Sequence, residues 1–150
     1  MDARAAREFF EEYLNTIYHQ RRIEALDRFL APDITLHPPV PGFGPGLDGA
    51  RVAVEAWLEA FSDMRISIEG FVYADDMIAP RLFLAAIHSG PFMGIPATGR
   101  RIHFWGHPHY RLRDGRFVEF WDSPDMLPVL RQLGVLPPAF EVNAGSYAGA

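Results

Sequence analysis

Asp114-Gly115 lies between two runs that alternate aromatic and polar residues, His103 to Arg113 and Arg116 to Asp122. An Asp-Gly pair flanked by strand patterns marks a two-residue hairpin turn. Counting outward from that turn, Arg113 faces Arg116, His109 faces Phe120 and His107 faces Asp122. Facing residues in such a pair have Cβ atoms about 4.5–5.5 Å apart, so the imidazole and the carboxylate come within reach of each other. A carboxylate beside an imidazole, with Trp105 and Phe120 on the same face, suits proton transfer on an apolar substrate. Burial of that face raises the pKa of Asp122, and a cationic histidine lowers it.

The same residues admit a second arrangement. Pro108 cannot donate to a strand ladder, so it marks an edge or a bulge, and a slip of one residue turns His107 to the other face. The opposite face, Ile102, Phe104, Tyr110 and Leu112, is the more apolar one. If it forms the core, the histidine face meets solvent or a second copy. Asp122 also has two readings. It is an acid-base group, or it belongs to a capped turn, Trp-Asp-Ser-Pro-Asp, that leads into the last helix with Asp125 as the cap.

Other polar residues stand where they could line a pocket. His37 ends a short strand just before Pro38-Pro39, at the expected cavity mouth. His88 closes a strand before a Gly- and Pro-rich loop, which suits a turn-stabilising role first and substrate contact second. Arg81, among apolar neighbours, is expected to pair with Glu69 or another acid, or to polarise a substrate carbonyl. His109 and Tyr110 complete the candidate substrate residues. His103, His107 and His109 with a carboxylate could in principle hold zinc or iron. No Walker loop, Gly-x-Gly-x-x-Gly fingerprint, Gly-x-Ser-x-Gly elbow or cysteine is present, so the expectation is a reaction without cofactor or metal.

The elements that must position these groups read in order. Residues 2–20 form an amphipathic helix with Asp2 as its cap and Phe10, Leu14, Ile17 and Tyr18 on the apolar stripe. A short helix covers Arg22 to Leu30, stopped by Pro32, and a brief strand runs from Ile34 to His37. Residues 38–47 are a loop. A third helix spans about Ala50 to Phe61, with Asp48 as cap and Val54, Trp57, Leu58 and Phe61 facing inward. Strands follow around 66–72, 81–87, 101–113 and 116–122, with Asp75-Asp76 as a turn and 89–100 as a loop. A last helix covers 125–133, ended by Gly134, and the tail from Pro137 is expected to be mobile or to dock on a partner. Helices first and an antiparallel meander after is an α+β order: a curved sheet closed into a cone, with the N-terminal helices packed on its concave face.

Composition limits the partners. The 150 residues suit one domain with its own core. The formal net charge of −5, with no basic cluster beyond Arg21-Arg22 and Arg100-Arg101, disfavours nucleic acid. The N-terminus lacks the apolar run of a signal peptide, and the longest apolar run, Leu82 to Ile87, is too short to span a bilayer. The absence of cysteine fits a reducing cytoplasm.

From Asp63 to Leu136 the chain resembles the SnoaL-like polyketide cyclases, or ester cyclases, within the group shaped like nuclear transport factor 2 and ketosteroid isomerase. The matching stretches are His88 to Arg100 with its Gly-Ile-Pro-Ala-Thr-Gly-Arg, then Tyr110-Arg-Leu-Arg-Asp-Gly-Arg116, Glu119-Phe-Trp-Asp-Ser-Pro-Asp125 and Leu130-Arg-Gln-Leu-Gly134. The resemblance implies a cofactor-free intramolecular aldol closure of an aromatic polyketide ester. It also implies an acid-base aspartate near the end of the last strand, matched by Asp122, and a helping histidine on the neighbouring strand, for which His107 is the nearest match. Pro108 and the density of histidines at 103, 107 and 109 depart from the family pattern. On this reading His107 orients Asp122 or stabilises the oxyanion, and Trp105, Phe120 and Tyr110 form walls. The rival readings are an isomerase, dehydratase or epoxide hydrolase on the same fold, a metal enzyme using the histidine face, and a non-catalytic ligand-binding dimer. A homodimer is expected in any case, because the sheet carries more apolar surface than short helices cover.

Overall fold

The computed structural model of the chain describes residues 1–39 and 42–136. The first helix, α1 (Ala3–Tyr13), starts on Asp2, whose carboxylate accepts the Ala5 N–H at 2.8 Å. It runs on into a π-helical turn, Leu14–His19, where the Gln20 N–H reaches back to the Asn15 carbonyl at 2.8 Å. A 3₁₀ turn at Ile23–Ala25 leads into the single-turn α2 (Leu26–Phe29). The chain then extends as β1 (Leu30–His37), with Pro32 inside the strand rather than ending the helix before it. Helix α3 spans Gly46–Ala60; its cap position is Pro45, and Asp48 sits in its first turn.

Five strands follow. They are β2 (Phe61–Ala74), β3 (Met77–His88), β4 (Arg101–Gly106) and β5 (His109–Arg113), then β6 (Arg116–Trp121) and the closing α4 (Met126–Gln132). The sheet order is β1-β6-β5-β3-β2, with β4 also paired to β3. The sheet is mixed rather than purely antiparallel, because β1 lies parallel to β6. Asp75-Asp76 and Asp114-Gly115 both take positive φ at their two central positions, the turn geometry that matches the twist of a hairpin. This is an α+β architecture, a curved six-stranded sheet with the helices against its inner face.

Two prolines show how the sheet is divided. β3 pairs with β5 through Met77 and Ile78 and with β4 through Leu82 to Ile87. Pro80 falls in the gap between these stretches, where no ladder bond is needed on that side. Pro108 falls in the matching gap between β4 and β5, so the expected single strand 101–113 is two strands. Fully buried Phe10, Phe29, Phe61, Phe117, Ile17, Leu26, Ile78, Ile102 and Val129 dominate the core. Phe10 alone meets the rings of Tyr13, Phe71, Tyr110 and Phe117 at 5.3–6.3 Å. Among the described residues no helix is long and apolar enough to cross a membrane. The tail from Pro137 lies outside the described residues.

Candidate active site

The turn at Asp114-Gly115 pairs Arg113 with Arg116 as expected, but the ladder then slips. Leu112 faces Phe117, whereas Arg111 faces Glu119, so Val118 is an extra residue on β6 and forms a bulge. Beyond it Tyr110 faces Phe120 and His109 faces Trp121. The expected pairs His109–Phe120 and His107–Asp122 do not form. Because side chains alternate, one extra residue exchanges the faces of everything after it.

The apolar face is the core. Ile102, Phe104, Tyr110 and Leu112 are buried, while His103, Trp105, His107 and His109 are exposed. Trp105 is 42% exposed and packs on Phe83 on the outer side of the sheet, so it is not a wall of the interior. Arg81 is also outside. Its guanidinium donates to the Glu69 carbonyl at 3.1 Å and lies 5.8 Å from the Trp105 ring centroid. The Glu69 carboxylate, expected to pair with Arg81, instead accepts the Ser67 hydroxyl at 2.6 Å. Among the described residues no group of three or more His, Asp and Glu side chains converges as a metal site requires.

The bulge carries Phe120 inward, where its ring meets Tyr110 at 4.7 Å. It brings Asp122, just past β6, to the interior end of the sheet. There the Asp122 N–H donates to the His37 carbonyl at 3.1 Å, extending the β1–β6 pairing by one bond. Burial raises the Asp122 carboxyl to a pKa of about 6, against a smaller lowering by the Ser123 backbone. A carboxylate with that pKa is charged at neutral pH yet poorly solvated, which makes it a competent base.

Tyr18 and Tyr110 lie near it, and Tyr13 packs against both. The Tyr13 and Tyr18 hydroxyls lie 3.3 Å apart, and the Tyr13 ring meets Tyr110 at 6.0 Å. Burial pushes Tyr18 up to about 12, and the Asp122 charge adds to the rise. Tyr110 is held well above the ordinary phenol value, chiefly by burial, then by Tyr18 and by Asp122. Tyr13 is raised likewise by burial. All three phenols therefore keep their protons at working pH, and Tyr18 and Tyr110 lie close enough to Asp122 to feel its charge. Tyr13 and Tyr18 escape a sequence reading because residues five apart on an α-helix point about 140° away from each other. The π-turn, bonded i to i+5, brings them onto one side. A pair of tyrosines at that spacing is the only local trace of it.

His37 holds the outer side of the same strand end. Its ring stacks on Trp121 at 4.8 Å and 10°, and its Nε2 lies 3.9 Å from Glu119. Glu119 also lies 3.7 Å from Arg111, whose guanidinium sits 5.7 Å from the Trp121 ring centroid. This cluster ties β1, β5 and β6 together next to Asp122. His88 is fully buried on the inner face of β3, with its Nδ1 2.9 Å from the Thr98 hydroxyl. At Asp125 the backbone caps α4, but the side chain makes no capping bond.

The curved α+β sheet thus carries the poorly solvated Asp122 carboxylate near the protonated phenols of Tyr18 and Tyr110. Residues 6–133 match the SnoaL-like polyketide cyclase family, and the chain belongs to it. It is 33% identical over 129 residues to the aklanonic acid methyl ester cyclase DnrD of Streptomyces peucetius, covering 77% of this chain and 87% of that protein. The aklanonic acid methyl ester cyclase DauD of Streptomyces sp. strain C5 matches at the same identity over 78% of its length. Among solved structures, TsrD from Streptomyces laurentii superposes with a TM-score of 0.82 at 29% identity, over 91% of this chain and 99% of that one. A SnoaL-like polyketide cyclase from Agrobacterium tumefaciens gives 0.72 at 26% identity, over 89% and 100%.

Proposed function

We propose that this protein is a cofactor-independent cyclase that closes a ring in an aromatic polyketide ester by intramolecular aldol addition. The observation that carries the reading is Asp122, a carboxylate raised by burial to about 6 and near enough to the phenols of Tyr18 and Tyr110 for its charge to hold their protons on. The Asp122 carboxylate takes a proton from a methylene flanked by carbonyls, and the C–H electron pair passes into an enolate. The enolate carbon attacks a ketone carbon of the same molecule, forming the new C–C bond and leaving an alkoxide. Asp122, now protonated, returns its proton to that alkoxide, so no redox partner or metal is required. Tyr18 donates a hydrogen bond to the enolate oxygen, with Tyr13 behind it. Such donors stabilise charge best where water is excluded.

The family membership supports the cyclase class, and the two relatives named aklanonic acid methyl ester cyclases support a polyketide methyl ester as the substrate to try first. His107 has no place in this scheme, because it lies on the exposed face. We further propose a homodimer formed through the outer face of the sheet, where Trp105 and Val72 are exposed at 42% and 61%. The test is turnover of an aromatic polyketide methyl ester by wild type and Asp122→Asn, with the product identified by mass spectrometry and proton NMR. No ring closure by the wild type, or near-normal kcat in the variant, overturns the reading.

A further inference from the structure

His88 has an unmet hydrogen bond inside the protein. It follows Leu82, Leu84 and Ala86 on the inner face of β3, and nothing of it is exposed. The Thr98 N–H donates to its Nδ1 at 3.2 Å, so Nδ1 carries the lone pair and the ring proton sits on Nε2. That Nε2–H is buried and has no partner among the described residues. A buried donor left unpaired is costly, and a native fold keeps one where something else meets it.

The surroundings say what could meet it. The His88 ring touches Phe61 at 5.6 Å and Phe92 at 6.4 Å. Trp57 of α3 meets Phe61, Phe92 and Phe104 at 4.7, 5.6 and 5.9 Å, the last two edge-on. Trp57 and Phe92 are only partly buried, so this aromatic cluster reaches the surface on their side. Flat apolar walls with one fixed N–H donor match a planar ring system that carries an oxygen acceptor.

We infer that His88 is a substrate-binding residue, donating from Nε2 to a carbonyl or phenol oxygen of a planar polycyclic ligand held by Trp57 and Phe92. The inference rests on the reading of the interior as the substrate pocket. It adds a specificity-determining contact at the β3–α3 end of the interior, on elements other than those that hold Asp122. Thr98 is the positioning residue, since it selects the tautomer that leaves the proton on Nε2. A pocket that hydrogen-bonds an oxygen discriminates against an analogue lacking it far more than an apolar wall does.

The test is binding of the matched probes anthraquinone-2-sulfonate and anthracene-2-sulfonate, which differ in the quinone oxygens. Isothermal titration should show wild type preferring the quinone by about tenfold. His88→Leu should lower that preference to under about threefold while leaving anthracene binding unchanged. In parallel, the His88 Nε2–H resonance of ¹⁵N-histidine-labelled wild type should shift with the quinone and not with anthracene. This measurement decides the matter alone if His88→Leu does not fold. Equal affinity of wild type for the two probes, a preference that survives in His88→Leu, or a resonance unmoved by bound quinone overturns the inference. None of these results touches the role of Asp122, which turnover tests separately. Binding of neither probe overturns the inference together with the pocket reading.

Discussion

Asp122 is a carboxyl group whose burial raises its pKa from 3.8 to about 6. As the base it must be ionised, so kcat/KM should climb with pH through about 6 and level off above it. Asp122→Asn keeps the shape and removes the base, and kcat should fall by ~10²–10⁴-fold. The same shift has a stability sign. Between pH 3.8 and about 6 the folded state holds the proton more tightly than the unfolded one, so stability falls as pH rises through that window. Above about pH 6 the ionised carboxylate disfavours the fold, and Asp122→Asn should melt a few degrees higher than wild type at pH 7.5. Below pH 3.8 the two should melt together, and thermal denaturation followed by circular dichroism at both pH values checks this. His107→Ala, on the exposed face, should keep kcat within about twofold of wild type, a change too small for a group in direct contact with the reacting atoms.

At the scale of elements, the site depends on small irregularities in regular structure. The π-turn after α1 aligns Tyr13 with Tyr18, and the Val118 bulge in β6 turns Phe120 and Asp122 toward them. Helix α4 is held by a side chain acting as a strand. The Gln132 amide oxygen accepts the His103 N–H at 2.9 Å, and its nitrogen donates to the His103 carbonyl at 2.8 Å. Arg100 adds a bond to the Gln132 carbonyl at 2.9 Å. Gln132→Ala should therefore cost about 1–2 kcal/mol, lower the melting temperature by roughly 2–8 °C and speed exchange of the His103 amide. Unchanged exchange at His103 would show that α4 is held by apolar packing of Val129 and Leu133 instead.

The whole molecule presents two sheet faces of different character. The inner one packs against the helices and carries His88 and Phe120, and the outer one leaves Trp105, Phe83, His103 and Arg81 on a shared surface. Light scattering at micromolar concentration should give twice the 16.9 kDa chain mass, and Trp105→Glu should move the equilibrium toward monomer. A monomeric wild type would reject the dimer while leaving the interior chemistry untouched. Dialysis against a strong chelator should leave turnover of the ester unchanged. Loss restored by zinc or iron would move the histidines from bystanders to ligands.

What could be read from the residues alone was whatever is decided within a few positions. Asp114-Gly115 and Asp75-Asp76 mark their turns because few residue pairs accept positive φ twice in succession. Asp2 caps α1, Gly134 follows α4 with φ +80, and the alternation around Ile102 and Phe104 marks a strand with one buried face. The candidacy of Asp122 came from the resemblance of its Trp-Asp stretch. The residues also showed that Pro108 could disturb the strand, but not where the slip would fall. The bulge sits instead at Val118, whose neighbours Phe117 and Glu119 are a buried ring and a half-exposed acid. Only the tertiary structure decided which face is inside, because both faces of the hairpin carry aromatic residues. It likewise decided the parallel pairing of β1 with β6 and the nearness of Tyr18 to Asp122. These contacts join parts of the chain far apart in sequence. Packing of the whole sheet against α1 selects them, and no local preference encodes that.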